Sequence, residues 1–116
     1  MSIAGDLIRG HTEAIILARL LRGDSYGYEI NKAILSLSGG KFELKEATLY
    51  TAFRRLEENG CITSYWGGGG TGARRRYYTI TAAGREECAR LLGEWQQTKD
   101  IIDKLLSVED EQCEKN

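Results

Sequence analysis

One stretch constrains this chain more than any other: Glu46-Ala-Thr-Leu-Tyr-Thr-Ala-Phe-Arg-Arg-Leu-Glu-Glu-Asn-Gly60. Leu49, Phe53 and Leu56 recur at i, i+4, i+7, so they share the side of a helix that packs on a core. Thr48, Thr51, Arg54, Arg55 and Glu58 take the other side, with Tyr50 on its flank. Arg55 has Glu57 and Glu58 within reach on the same helix, a contact worth only about 0.3–0.5 kcal/mol. Asn59-Gly60 supplies a left-handed stop. Next come Cys61-Ile-Thr-Ser-Tyr-Trp66, the run Gly67-Gly-Gly-Gly-Thr-Gly72, and Ala73-Arg-Arg-Arg-Tyr-Tyr-Thr-Ile80. Aromatic and β-branched residues on both sides of a glycine run predict two strands joined by a turn, the second strand basic.

The segments before it supply packing partners. Leu7, Ile8, Ala14, Ile15, Leu17, Ala18 and Leu21 predict a first helix over 6–22, broken by Gly23-Asp24-Ser25. Ser25 or Asp24 is placed to cap a second helix from about Tyr26 to Leu37, whose Ile30, Ala33, Ile34 and Leu37 share a face. Gly27 lies between two tyrosines near that helix start, where a close helix approach or a backbone contact to phosphate favours glycine. Phe42-Glu-Leu44 alternates like a very short strand. After the hairpin, Thr81 caps a long last helix, about Ala82 to Leu106, although Gly84 replaces the Glu of a full capping box. Leu91, Thr98, Leu105 and Leu92, Lys99, Leu106 run along it at heptad spacing, with Cys88, Trp95 and Ile102 common to both seams. A stripe this wide asks for a partner helix, with Leu91, Trp95, Ile102 and Leu105 as its dimer contacts.

The reading is therefore α+β, mostly helical: a winged helix-turn-helix with a long C-terminal dimerisation helix. Residues 1–81 form the winged domain, its first helix also reaching the dimer interface. Residues 82–106 form the dimerisation helix, and 107–116 an acidic tail. In such a fold the helix after the turn enters the major groove while the wing grips the backbone. Lys45, Thr48, Tyr50, Thr51 and Arg54 are the candidate helix contacts, and Arg74, Arg75 and Arg76 the candidate phosphate contacts of the wing. The overall charge of −1 hides an uneven distribution. Residues 41–81 hold seven Lys/Arg against four acids, whereas 82–116 hold five against nine. The positive charge sits where double-stranded DNA would bind.

Other chemistries find little support. Gly67–Gly72 has P-loop-like glycines, but Ala73-Arg74 stand where Lys-Ser/Thr is required, and the run joins strands. His11, the one histidine, reads as a helix-surface or interface residue. No Ser-His-Asp, paired-carboxylate or metal-spaced set appears, so neither an enzyme nor a cofactor is expected. Cys61, Cys88 and Cys113 are odd in number and widely spaced, unlike a secreted disulfide framework. A redox sensor would need a lowered thiol pKa, and no basic neighbour is evident around Cys61 or Cys88. With no apolar run near the ~20 residues that cross a bilayer and no signal-peptide pattern, a cytoplasmic protein is expected.

Four motifs together resemble the PadR family of bacterial transcriptional regulators. They are Tyr26-Gly-Tyr-Glu-Ile30, Ala47-Thr-Leu-Tyr50, Arg55-Leu-Glu with Gly60, and Arg75-Arg-Tyr-Tyr followed by Thr81 and Gly84. The likeness runs from about Leu7 to Leu106, and the single Trp95 in a short last helix is similar to the family's compact multidrug-responsive branch. It implies a homodimer joined through the last helix and the partner's first helix, with operator binding by Ala47–Arg55 and the wing. It also implies a pore accepting planar aromatic compounds, lined by Leu7, Gly10, Ala14, Cys88, Leu92, Trp95 and Lys99. Lys99 departs from that branch, which tends to carry an acid there, and so puts a preference for cations in doubt. A winged helix serving only as a protein–protein module is the alternative reading.

Overall fold

A computed structural model describes residues 3–68 and 74–108. Residues 69–73, which hold most of the expected Gly67–Gly72 turn, and the tail beyond 108 with Cys113 lie outside the described residues. The elements are α1 (Ile3–Arg9), α2 (Thr12–Leu20), β1 (Ser25–Tyr26), α3 (Gly27–Leu37), α4 (Glu46–Glu58), β2 (Ile62–Gly67), β3 (Arg75–Ile80) and α5 (Ala82–Leu106). This is a winged helix, mostly helical with a small three-stranded antiparallel sheet.

The expected first helix is two helices. Gly10 carries the helix penalty of glycine, ~1 kcal/mol relative to Ala. The chain turns there, with His11 N–H on the Ile8 carbonyl (2.8 Å) and the Thr12 hydroxyl on the Arg9 carbonyl (2.7 Å). Ile16, Leu17 and Leu20 of α2 enter the core beside Ile30 and Ile34 of α3 and Leu49, Phe53 and Leu56 of α4.

Two further expectations are corrected. Phe42–Leu44 forms no strand. Both end residues are buried, but the backbone of Leu44 is held by one side chain: Asn31 donates to its carbonyl (2.7 Å) and accepts from its N–H (2.8 Å). The third strand is instead β1, pairing Ser25 with Tyr78 and Tyr26 with Tyr77, so the sheet order is β1-β3-β2. Ser25 is thus a strand residue whose hydroxyl bonds Glu29, and Tyr26 begins α3 without a side-chain cap.

The helix ends that local sequence predicts do form. At Gly60 (φ +77°), Cys61 N–H reaches the Leu56 carbonyl (2.9 Å) and Gly60 N–H that of Glu57 (3.0 Å), closing α4 in a Schellman turn. Thr81 accepts from Gly84 N–H (3.0 Å) and its hydroxyl donates to the Gly60 carbonyl (2.7 Å). One threonine therefore starts α5 and ties it to the end of α4. The α5 helix, about 37 Å long at 1.5 Å per residue, touches the core through Cys88 and Leu91 and is exposed beyond them.

Candidate nucleic-acid interface

Helix α4 buries Leu49, Ala52, Phe53 and Leu56 and so exposes Ala47, Tyr50, Thr51, Arg54, Arg55 and Glu58. Lys45, just before the helix, is exposed as well, and Thr48 is half-buried. Tyr50 has two attachments: its ring meets Phe53 edge-on at 5.5 Å, and its hydroxyl lies over Gly27. A Cβ at Gly27 would come within 2.6 Å of that hydroxyl, so the glycine allows the close helix approach that sequence suggested. Arg55 does not pair on its own helix. Its guanidinium reaches Glu13 of α2 at 3.6 Å, because the turn of α4 aims it toward α2.

Strand alternation divides the three wing arginines. Cross-strand pairing of Trp66 with Arg76 and Gly67 with Arg75 puts Arg76 on the face of Ser64, Trp66 and Tyr78. Arg74 shares that face, 5.3 Å over Trp66. Arg75 lies on the other face, 4.8 Å over the Tyr26 ring, beside the stacked Tyr65–Tyr77 pair (5.6 Å). The face of Arg74 and Arg76 is the one that adjoins α4. Phe53 stacks on Tyr78 at 3.9 Å, and Arg76 pairs with Glu57 at 3.3 Å. Sequence reasoning missed Glu57 and Ser64 as partners of the wing, since contacts 19 and 12 residues apart leave no periodic signal.

Beside α4 lies a cavity of about 700 Å³. It is bounded by the α1–α2 turn (Gly10, His11) and the start of α2 (Ala14), by α4 (Thr48, Thr51, Arg55) and by α5 (Leu91, Glu94, Trp95, Thr98). His11 meets Trp95 edge-on at 5.0 Å. Of the residues expected to line a ligand pore, Gly10, Ala14 and Trp95 border this cavity; Leu7, Leu92 and Lys99 are exposed outside it. Cys88 does not fit that role in the protomer: it is fully buried in the core. Its thiol and that of Cys61 are both pushed up by burial, Cys61 also by the charges of Glu87 and Glu13. Of the expected dimer contacts, Leu91 packs partly on its own core, whereas Trp95, Ile102 and Leu105 are exposed along α5. Among the described residues no helix is long and apolar enough to cross a membrane.

The architecture has known counterparts. Residues 16–90 match the model of the transcriptional regulator PadR-like family. An uncharacterized protein of Lysinibacillus sphaericus is 44% identical over 87% of this chain and 93% of its own. A transcriptional regulator from Clostridium thermocellum superposes with a TM-score of 0.82 at 45% identity, over 91% of this chain and all of that one. Bacillus subtilis PadR, solved in complex with operator DNA, superposes at 0.62 and 28% identity, over 69% of this chain and 45% of that one. A family match across most of the winged domain, with close relatives of nearly equal length, places the chain in the transcriptional regulator PadR-like family.

Proposed function

We propose that the chain regulates transcription by binding double-stranded DNA as a homodimer, as a repressor on a pseudo-palindromic operator. The observation that carries this reading is the juxtaposition of the exposed Thr51–Arg54 face of α4 with the Arg74–Arg76 face of the wing. Helix residues then read base edges, while Lys45 and Arg74 neutralise phosphates. Tyr50, at the edge of that face, adds a backbone contact. The operator complex of the Bacillus subtilis relative supports the same use of the fold. Residues 1–81 act as the DNA-binding unit and 82–106 as the dimerisation helix, where Trp95, Ile102 and Leu105 present apolar surface suited to a second copy. Two recognition helices so joined meet successive major grooves about 34 Å apart.

An effector site accompanies this function in the cavity beside Trp95, whose volume falls within the ~300–1,000 Å³ of small-molecule sites. Both lining carboxylates are paired, Glu94 with Arg90 (2.6 Å) and Glu13 with Arg55 (3.6 Å). A neutral planar aromatic compound suits such walls better than a cation. Because Thr48 and Thr51 of α4 border the same space, an occupant would act on the DNA-reading helix itself. A coupling of ~1–3 kcal/mol would be ordinary for such linkage.

The test is anisotropy of a labelled duplex titrated with the full chain at several salt concentrations. The expected result is a steep fall of affinity with salt; each neutralised phosphate contributes about 0.9 to the log–log slope. Salt-independent association with protein partners, and none with DNA, would establish the protein–protein module instead.

A further inference from the structure

We propose that Arg76 is a positioning residue, not a phosphate contact: with Ser64 and Glu57 it clamps the wing to the recognition helix at one angle. This rests on the DNA-binding reading above and deepens it. The Arg76 fork uses two directions at once. Its Nε donates to Ser64 Oγ (3.1 Å) and a terminal nitrogen to Glu57 Oε1 (3.3 Å). Ser64 closes the triangle by donating to Glu57 Oε2 at 2.8 Å. One carboxylate on α4 thereby holds both strands of the hairpin, and the guanidinium lies 5.8 Å over the Tyr78 ring, itself stacked on Phe53. Two of the five guanidinium N–H groups are committed within the protein, one to each strand-and-helix partner of the triangle. Lysine cannot reproduce this geometry, because an ammonium is a point charge without a planar fork.

Arg74 differs. It is exposed, its described contact is the Trp66 ring, and among the described residues no hydrogen bond engages its guanidinium. The two arginines of one wing face therefore divide the work: Arg74 attracts the backbone, and Arg76 sets where the wing stands relative to Thr51 and Arg54. A fixed wing angle matters for register on a particular sequence and little for loose attachment, since phosphate contacts position the protein while base contacts specify. The presence of Glu57 also acquires a reason. A carboxylate on a DNA-reading helix opposes binding by charge alone, so its removal should tighten binding unless it serves as the anchor of the clamp.

The experiment uses the full-length protein, a duplex recovered from a random pool by selection, and a mixed-sequence duplex. Affinities are measured across salt for Glu57→Gln, Arg76→Lys, Arg76→Ala and Arg74→Ala. Glu57→Gln and Arg76→Lys are expected to lose about three- to tenfold on the selected duplex and to keep wild-type affinity on the mixed one. Arg76→Ala should keep the wild-type salt slope, whereas Arg74→Ala should lower it by about 0.9. Tighter binding by Glu57→Gln, an unchanged selectivity ratio in both clamp variants, or equal slope losses at Arg74 and Arg76 overturns the clamp. Wild type that binds neither duplex removes the DNA-binding reading itself, a result distinct from these. The Arg76–Glu57 pair is partly exposed, so it adds little to folding stability and the variants should remain folded. If Glu57→Gln melts below assay temperature, Ser64→Ala opens the same triangle and carries the same expectation.

Discussion

Gly84 sits so close to Cys61 that a Cβ built on it would fall 2.1 Å from the Cys61 carbonyl oxygen. Backbone meets backbone there, at the corner where α4 passes into β2 and α5 begins. Gly84→Ala must therefore push α5 off the winged domain, at a cost of at least about 2 kcal/mol. Gly93, also in α5, has nothing within 4 Å of the same construction. Gly93→Ala should stabilise by about 0.5–1 kcal/mol through helix propensity. Urea unfolding of the two variants checks the contrast; equal effects would mean the corner yields freely.

Arg75 lies on the wing face opposite Arg74, stacked over Tyr26. Arg75→Ala should lower DNA affinity less than Arg74→Ala, with a salt slope nearer to wild type. Substituting all three wing arginines by alanine should weaken binding on every sequence, and most on the selected one, because the clamp at Arg76 goes with them. Undiminished affinity in the triple variant would exclude the wing from the interface.

Trp95 and Trp66 are the two tryptophans, and Trp95 alone borders the cavity. A planar aromatic dye should quench the fluorescence of the native protein, and Trp95→Phe should abolish the dye-dependent part. Quenching that persists in Trp95→Phe would place the dye at Trp66 on the wing.

Tyr65 donates a 2.6 Å hydrogen bond to Asp24, joining the wing to the chain ahead of α3. That bond, with a second from Thr79, holds the Asp24 carboxyl below its ordinary 3.8, and it pushes the Tyr65 hydroxyl above 10.0. A depressed carboxyl contributes stability above its unfolded value and loses it as pH falls through the folded one. A raised phenol contributes below its unfolded value and loses it as pH rises through the folded one. The melting-temperature gap between wild type and Tyr65→Phe should be widest between those limits and narrow at both ends.

The Cys61 and Cys88 thiols are buried and shifted away from the reactive thiolate. Iodoacetamide followed by mass spectrometry should label both slowly in the native protein and quickly in urea. Native labelling at the unfolded rate would reopen a thiol-sensing role.

Local order gave away the helices and their ends, because those are set within a few residues. The Leu49–Phe53–Leu56 spacing, the Gly60 stop and the Thr81 cap could each be read where they stand, and four motifs sufficed for the family. The break at Gly10-His11 was less legible, since the apolar pattern of α1 and α2 continues across it. So was β1: Ser25 and Tyr26 look like a helix start until Tyr77 and Tyr78, half the chain away, come to pair with them. The tertiary structure alone decided which face of the wing each arginine takes, that Glu57 and Ser64 hold Arg76, and that Trp95 shares a cavity with α4. Each of these depends on side chains brought together by packing from distant positions, and a linear pattern carries no record of such distances.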